Sequence, residues 1–504
     1  MKMKKISTYN IYNMHKYWGK KPSNILSNII QEYSEINDLV LDPFSGYGGV
    51  GIESIILNRN VILNDLNPIA TFISENILEK NVCLDKFNQL FLQLKCEYEK
   101  FEKSLFYFNE NKIISILRDD EIPIKLKLKK NKILNEYVLN DPEIQMFLEY
   151  VNKLLNNLWY PKEFLIPNSR ICIKDKMMLS DLFSKRTLFA NSILYSLIDK
   201  LPESNEKKLL MLAFTSNVAN CSKLIPPIST RGDMSPGAWM TGFYLPKKFI
   251  ENNVFHYFEN RIKKIIKGKK DFFILSEKTK SNFKIYNSDA KKLPIKNSTI
   301  DLVITDFPYG DTVPYFEQSQ LWNLWLNNQP DYQNEIVISD SKTRNKNILN
   351  FSNDINESIK EIHRVLKENK FFVFTFHSMS FDEWKPIINS LYNHNFKFIT
   401  CYILNQKTLP PRQISRSNSI KGDIVVVYKK SNKQIMKKNF IDVLEGEINK
   451  NKDHYFDKNK MFELIIFSML KSNWIAETDF KKIMDDYFIY NEEKKKWKVK
   501  NLVN

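Results

Sequence analysis

Short apolar runs ending in an acid, each followed by a stretch of helical spacing, recur at both ends of this 504-residue chain. Residues 24–35 carry apolar positions at helical spacing and lead to the turn signal Asn37-Asp38. Leu39-Val-Leu-Asp42 then reads as a short buried strand, and a glycine cluster behind it opens a second helical pattern to about residue 58. Val61-Ile-Leu-Asn-Asp-Leu66 repeats the strand, with its acid at Asp65, before Asn67-Pro68 starts an apolar helix through Leu78. This pattern predicts one βαβ half of a doubly wound sheet.

From residue 80 the spacing turns helical and charged for roughly two hundred residues, with Leu90–Leu105 and Lys207–Ala219 as examples. Asn111–Lys132, basic and interrupted, fits neither period. Strand patterns return at Phe283-Lys-Ile-Tyr286 and at 301–305. A helix over 355–368, a strand over 371–376, a helix over 381–392 and strands over 396–404 and 423–428 follow. The last strand suits a hairpin partner near a sheet edge. The predicted class is therefore α/β, a Rossmann-like sheet with a large mostly helical insertion and a small C-terminal accessory domain. The expected division is 1–79 and 283–430 for the two halves of the sheet domain, 80–282 for an insertion with its own core, and 431–504 for a helical or winged accessory domain.

Bulk composition narrows the class. Hydrophobic residues make up 43% of the chain, enough for a globular core. The 75 Lys+Arg against 58 Asp+Glu leave +17, which suits a polyanionic partner and equally suits a lysine-rich solvated surface. Cys83, Cys96, Cys172, Cys221 and Cys401 stand singly, and the six histidines are dispersed, so neither a disulfide framework nor a metal site is expected. The N-terminal residues lack the apolar segment of a secretory signal, and no run of about 18 uncharged apolar residues occurs. The expectation is a cytoplasmic protein with no membrane span.

Four of the twelve glycines fall in Asp42-Pro-Phe-Ser-Gly-Tyr-Gly-Gly-Val-Gly51. Glycine there lets backbone approach a nucleotide-like ligand closely. Far downstream, Asp301-Leu-Val-Ile-Thr-Asp-Phe-Pro-Tyr-Gly310 is a second buried strand ending in an acid, a proline and an aromatic. Together the two loops resemble the cofactor loop and the catalytic loop of S-adenosylmethionine-dependent DNA amino-methyltransferases of the adenine-N6 type. The first resembles that family's Asp-Pro-Phe-x-Gly-x-Gly and lacks the Gly-Lys-Ser/Thr of a P-loop.

The resemblance implies S-adenosylmethionine as cofactor. Asp42, Phe44, Gly46 and Gly48 would line its methionine end, and Asp65, otherwise a turn or capping acid, would take the ribose hydroxyls. In Asn287-Ser-Asp-Ala290, Asp289 would face the adenine amine, although an Asx turn would read the same way. His15-Lys-Tyr-Trp-Gly-Lys-Lys-Pro22 resembles the family's element before the glycine loop, with Trp18 and Lys21 as contacts to the cofactor pocket; a capped basic loop with a buried tryptophan also fits.

In the catalytic loop, Asp306 would hold the target amine and the carbonyl of Phe307 its second hydrogen, while Tyr309 stacks on an extruded base beside Pro308. The family usually has Asp-Pro-Pro-Tyr. Phe307 keeps the carbonyl but not the fixed φ of proline, so restoring proline is expected to be tolerated. Arg231 and Trp239, in the glycine-bearing run 229–242, are candidates for reading or extruding a base, and Arg412, Arg416 and Lys421 for phosphates. Either set is also what an ordinary connector or solvated loop would carry.

The implied function is site-specific methylation of adenine N6 in duplex DNA with base flipping, in a restriction-modification or phage-defence setting with a restriction endonuclease as partner. Two alternatives stand beside it. One is an RNA or tRNA guanine-N2 methyltransferase, against which the 38 residues before Leu39 leave little room for an RNA-capturing domain. The other is a DNA-binding defence component with a degenerate site.

Overall fold

The computed structural model describes residues 9–130, 133–152, 158–311, 313–378, 381–404, 422–450, 455–473 and 480–500. The chain begins with α1 (Ser23–Tyr33), β1 (Leu39–Asp42), α2 (Gly49–Ile56), β2 (Asn60–Asn64) and α3 (Pro68–Leu78). It then leaves the sheet through α4 (Leu84–Leu105), β3 (Tyr107–Phe108), β4 (Asn111–Asp119), β5 (Ile122–Lys130), β6 (Ile133–Val138) and α5 (Asp141–Asn152). The excursion continues with α6 (Lys185–Asp199), α7 (Asn205–Val218), β7 (Lys248–Asn252) and α8 (Val254–Ser276). It returns with β8 (Phe283–Tyr286), β9 (Ile300–Asp306), α9 (Tyr315–Asn323) and α10 (Ile348–Val365). β10 (Leu366–Phe376), α11 (Phe381–Asn393), β11 (Phe396–Ile403) and β12 (Ile424–Lys430) complete the domain.

Seven strands form the central sheet in the order β11-β12-β10-β9-β1-β2-β8. β8, β2, β1, β9 and β10 run parallel, and β12 is antiparallel to both of its neighbours. β1 and β9 are covered on both faces, which is why they read as unbroken apolar runs rather than alternating ones. β12 pairs with β11 as a hairpin strand would. It lies inside the edge, however, with Val425, Val426, Val427 and Tyr428 fully buried. Strand order reverses between β1 and β9, and such a switch point opens a crevice at the carboxyl ends of the strands. Asp42, Asp65 and Asp306 all stand at those ends.

Helices predominate in the insertion, which also holds an antiparallel sheet, β3-β4-β5-β6 with β7 on β4. Of the stretch unassigned from periodicity, Asn111–Asp119 and Ile122–Lys130 supply its central hairpin. In β5 the lysines 125, 127 and 129 alternate with the buried Leu126 and Leu128, the period-2 pattern of a half-buried strand. The expected separate core is not found. Val40, Val50 and Ile73 of the sheet domain belong to one continuous cluster with Leu210, Phe258 and Phe272 of the insertion.

Beyond β12, helices Phe440–Asn449, Lys458–Ser472 and Phe480–Tyr487 surround a small sheet of Tyr455–Phe456, Lys496–Val499 and Phe488–Asn491. The elements follow in the order helix, strand, two helices and a hairpin. They are anchored to β11 by Phe467, whose ring lies 5.3 Å from Phe398. Among the described residues no helix is long and apolar enough to cross a membrane.

Candidate active site

The glycine loop is built by the acids on either side of it. Asp42 Oδ1 accepts from the Phe44 N–H at 3.1 Å and from the Thr305 hydroxyl at 2.6 Å, joining β1 to β9. Asp65 Oδ2 accepts from the Gly46 N–H at 2.7 Å, and its Oδ1 from the Asn67 N–H at 2.9 Å. Gly46 and Gly48 have φ of +49° and +82°, left-handed values that suit glycine. A Cβ on Gly48 would fall 2.7 Å from Ser74 Oγ, and one on Gly46 would lie 3.0 Å from the Tyr17 ring. The loop therefore hugs α3 and the Tyr17 ring with no room for side chains.

Asp42, Gly46 and Gly49 of this loop line a cavity that also receives Phe44, Asp65, Asp289, Trp18, Lys21, Asp306, Phe307 and Pro308, whereas Gly48, expected on its wall, is packed against Ser74 and does not line it. Asn287 Nδ2 donates to the carbonyls of Asp65 (2.8 Å) and Leu66 (3.0 Å), docking the Asp289 turn against the end of β2. Asp289 Oδ1 accepts from the Lys291 N–H at 2.9 Å, so the acid caps its own turn while standing on the cavity wall. Burial pushes the Asp42 carboxyl up to about 7, with Asp65 and Asp306 adding to it, and pushes Asp65 up to about 6 against its two backbone bonds. A glycine-bearing loop beside two acids that line the cavity fits S-adenosylmethionine, whose ribose hydroxyls and adenine amine need acceptors.

Trp18 lines this cavity and packs on Trp322 (5.0 Å between ring centres), Tyr17 (5.4 Å) and Trp239 (6.0 Å). Lys21 also lies on the wall, yet its ammonium serves the loop that carries Asp306 and Tyr309. Its Nζ is 2.6 Å from Asp423 Oδ2, 2.8 Å from the Tyr309 hydroxyl and 3.1 Å from Asp306 Oδ2. Asp306 Oδ1 accepts from the hydroxyls of Tyr309 and Thr375, both at 2.5 Å. Burial raises the Asp306 pKa, Lys21 pulls it down, Asp423 pushes it up again, and the result stays above the usual carboxylate range. Burial alone would lower Lys21; Asp306 and Asp423 outweigh it and hold the ammonium above its ordinary value.

Phe307 has a packing reason. Its buried ring sits 5.1 Å from Phe374 and 5.8 Å from both Phe44 and Phe372, and its N–H donates to the Thr375 carbonyl at 3.3 Å. The expected tolerance of proline at this position is corrected by both facts: proline has no N–H to give and cannot fill the aromatic cluster.

The remaining candidates separate. Trp239 is not an exposed base-reading residue: it is 9% accessible, wedged against Trp18 and Trp322, because the glycine-bearing run 229–242 folds back onto the core. Arg231 is exposed on the short turn Ser229–Arg231 and does not line the cavity. Arg412, Arg416 and Lys421 lie outside the described residues. Asp423, Thr375, Thr305 and Tyr315 escaped the sequence reading as site residues. Only the position of Asp423 at a strand start and of Thr375 near a strand end hinted at them.

Residues 2–76 match a DNA methylase family of the N6/N4 type, a stretch holding the His15–Pro22 element, the glycine loop and Asp65. The chain is 23% identical over 331 residues to the type II methyltransferase M.MjaII of Methanocaldococcus jannaschii, covering 62% of this chain and 61% of that protein. It is 47% identical over 47 residues to the type II methyltransferase M2.MboI of Moraxella bovis, 9% of this chain and 17% of the relative. The match thus spans less than two thirds of either curated relative. Among solved structures, the rRNA methyltransferase aviRa of Streptomyces viridochromogenes shares 8% identity at a TM-score of 0.30, over 85% of this chain and 94% of that one. The family match falls on the glycine loop and the element before it, the residues that carry the resemblance, and in this stretch the chain is similar to DNA methylases of the N6/N4 type.

Proposed function

We propose that this chain methylates the exocyclic N6 of adenine at specific sites in duplex DNA, in a restriction-modification or phage-defence setting. One observation carries the reading: Asp306 stands at the carboxyl end of β9, beside the switch point, in the same cavity as the glycine cradle after β1. S-adenosylmethionine supplies an electrophilic methyl group. No covalent enzyme intermediate is needed, so the work of the chain is positioning.

The cradle at Gly46, with Asp65 and Asp289, would hold the cofactor. The Asp306 carboxylate and the Phe307 carbonyl would accept the two hydrogens of the amine and free its lone pair from ring conjugation. Tyr309 would stack on a base swung out of the duplex. An acid at the head of the loop favours adenine N6 over cytosine N4 by family resemblance. The names of the type II relatives support the restriction-modification setting. The insertion would contribute target recognition, and the +17 charge suits a phosphate backbone.

Expression in a methylation-free host, followed by transfer of labelled methyl to that host's DNA and mass spectrometry of the product base, tests the reading. N6-methyladenine is the expected product, lost in Asp306→Ala while cofactor binding persists. N4-Methylcytosine would overturn the adenine assignment. Label in RNA guanine alone would select the RNA alternative, and cofactor and DNA binding without transfer the degenerate one.

A further inference from the structure

The ion cluster behind the catalytic loop has a division of labour that the loop motif does not contain. Asp306 Oδ1 already receives two hydroxyl bonds, from Tyr309 and Thr375. Oδ2 faces Lys21 at 3.1 Å, while the same ammonium lies closer to Asp423, at 2.6 Å. Gly19, at φ +68°, passes beside Oδ2, and even a Cβ there would stand 3.7 Å from it. One oxygen of the acid is thus saturated, and the other keeps acceptor capacity on a side chain that is 22% accessible and lines the cavity.

We propose that Lys21, drawn towards Asp423, is a positioning residue that keeps Asp306 ionised and its Oδ2 available to the target amine. This rests on the methyltransferase reading of the site. A buried carboxyl without a counter-charge takes up a proton and turns one oxygen from acceptor to donor, which would repel an amine hydrogen. A lysine given wholly to Asp306 would close on Oδ2 and compete with the amine for it. Asp423 settles the compromise by taking the shorter contact. Among the described residues Tyr309 and Tyr315 also face the cluster, Asp42 and Asp65 lie across the cavity, and His377 Nδ1 stands 3.9 Å behind Asp423 Oδ1.

Single-turnover methyl transfer to DNA, followed against pH, separates this role from simple bracing. In Lys21→Met the acid limb should move to higher pH by about one unit or more, because Asp306 loses its cation. In Asp423→Asn it should move to lower pH, because a like charge is gone, while the plateau rate falls as Lys21 closes on Oδ2. Lys21→Arg should restore part of the wild-type limb. Profiles that drop in height without shifting, or shift the same way in both variants, overturn the proposal while leaving the methyltransferase reading in place. A wild-type protein that methylates no nucleic acid overturns that reading and this role with it. The pair itself is then read from urea unfolding of Lys21→Met, Asp306→Asn and the double variant: non-additive effects uphold the Lys21–Asp306 pairing, and additive ones overturn it.

Discussion

The carboxylate of Asp65, at the end of β2, accepts the backbone N–H of Gly46 at 2.7 Å and so ties the loop after β1 to the neighbouring strand. The acid that would hold ribose hydroxyls is also the brace of the cradle itself. Asp65→Ala should therefore weaken S-adenosylmethionine binding and also cost stability of roughly 1–3 kcal/mol from the two backbone donors left without their acceptor. Calorimetric titration with the cofactor and urea unfolding measure the two effects. An unchanged dissociation constant would reduce Asp65 to a brace.

Phe307 ties the Asp306–Tyr309 loop to the core by packing. Phe307→Pro should destabilise by about 3–5 kcal/mol, through the emptied space among Phe44, Phe372 and Phe374 and the lost bond to Thr375. Phe307→Leu, which keeps the N–H and most of the volume, should cost less than half as much. Denaturant midpoints decide it, and a proline variant as stable as wild type would show that the ring is dispensable.

Asp42 should make stability fall as pH rises. Its carboxyl is held up to about 7 by burial, with Asp65 and Asp306 adding to it, against roughly 3.9 in the unfolded chain. A raised native pKa favours folding fully below the unfolded value, and that contribution is lost as pH climbs through 7. Asp42→Asn keeps an acceptor for Phe44 and Thr305 and should gain up to about 4 kcal/mol over wild type at pH 8. The gain should vanish below about pH 4. Urea unfolding across that range is the check, and a wild type more stable than the variant at pH 8 would refute the assignment.

Trp239 and Arg231 should behave oppositely, although they share one loop. Trp239→Ala empties a buried site against Trp18 and Trp322 and should cost about 3–5 kcal/mol of stability. Arg231→Ala should leave stability alone and, if this turn meets DNA, lower the slope of log affinity against log salt by about 1. An Arg231→Ala slope equal to that of wild type would remove this turn from the DNA interface.

Deleting 80–282 should yield a chain that does not unfold cooperatively, because Val50 and Ile73 lose the cover of Leu210, Phe258 and Phe272. A soluble truncated protein with a sharp denaturant transition would show that the two halves fold without the insertion.

The order and type of the sheet elements were legible along the chain because their signals are local. β1 and β9 announce themselves as apolar runs between turn residues, and Asp42, Asp65 and Asp306 follow as the acids at strand ends. The glycines from 46 to 51 mark a close backbone approach in any context. The insertion sheet was hidden, since β7 pairs with β4 across more than a hundred residues and β4–β5 look merely basic until one face is known to be covered. Burial likewise moved Trp239 from a surface loop into the core and gave Phe307 its reason.

The Lys21–Asp306–Asp423 cluster joins three segments each more than a hundred residues from the next. Local spacing records which side chains can do chemistry. Which charges meet in a water-poor cavity, and therefore which protonation state each holds, is set by the distances and burial that only the packed sheet and its insertion create.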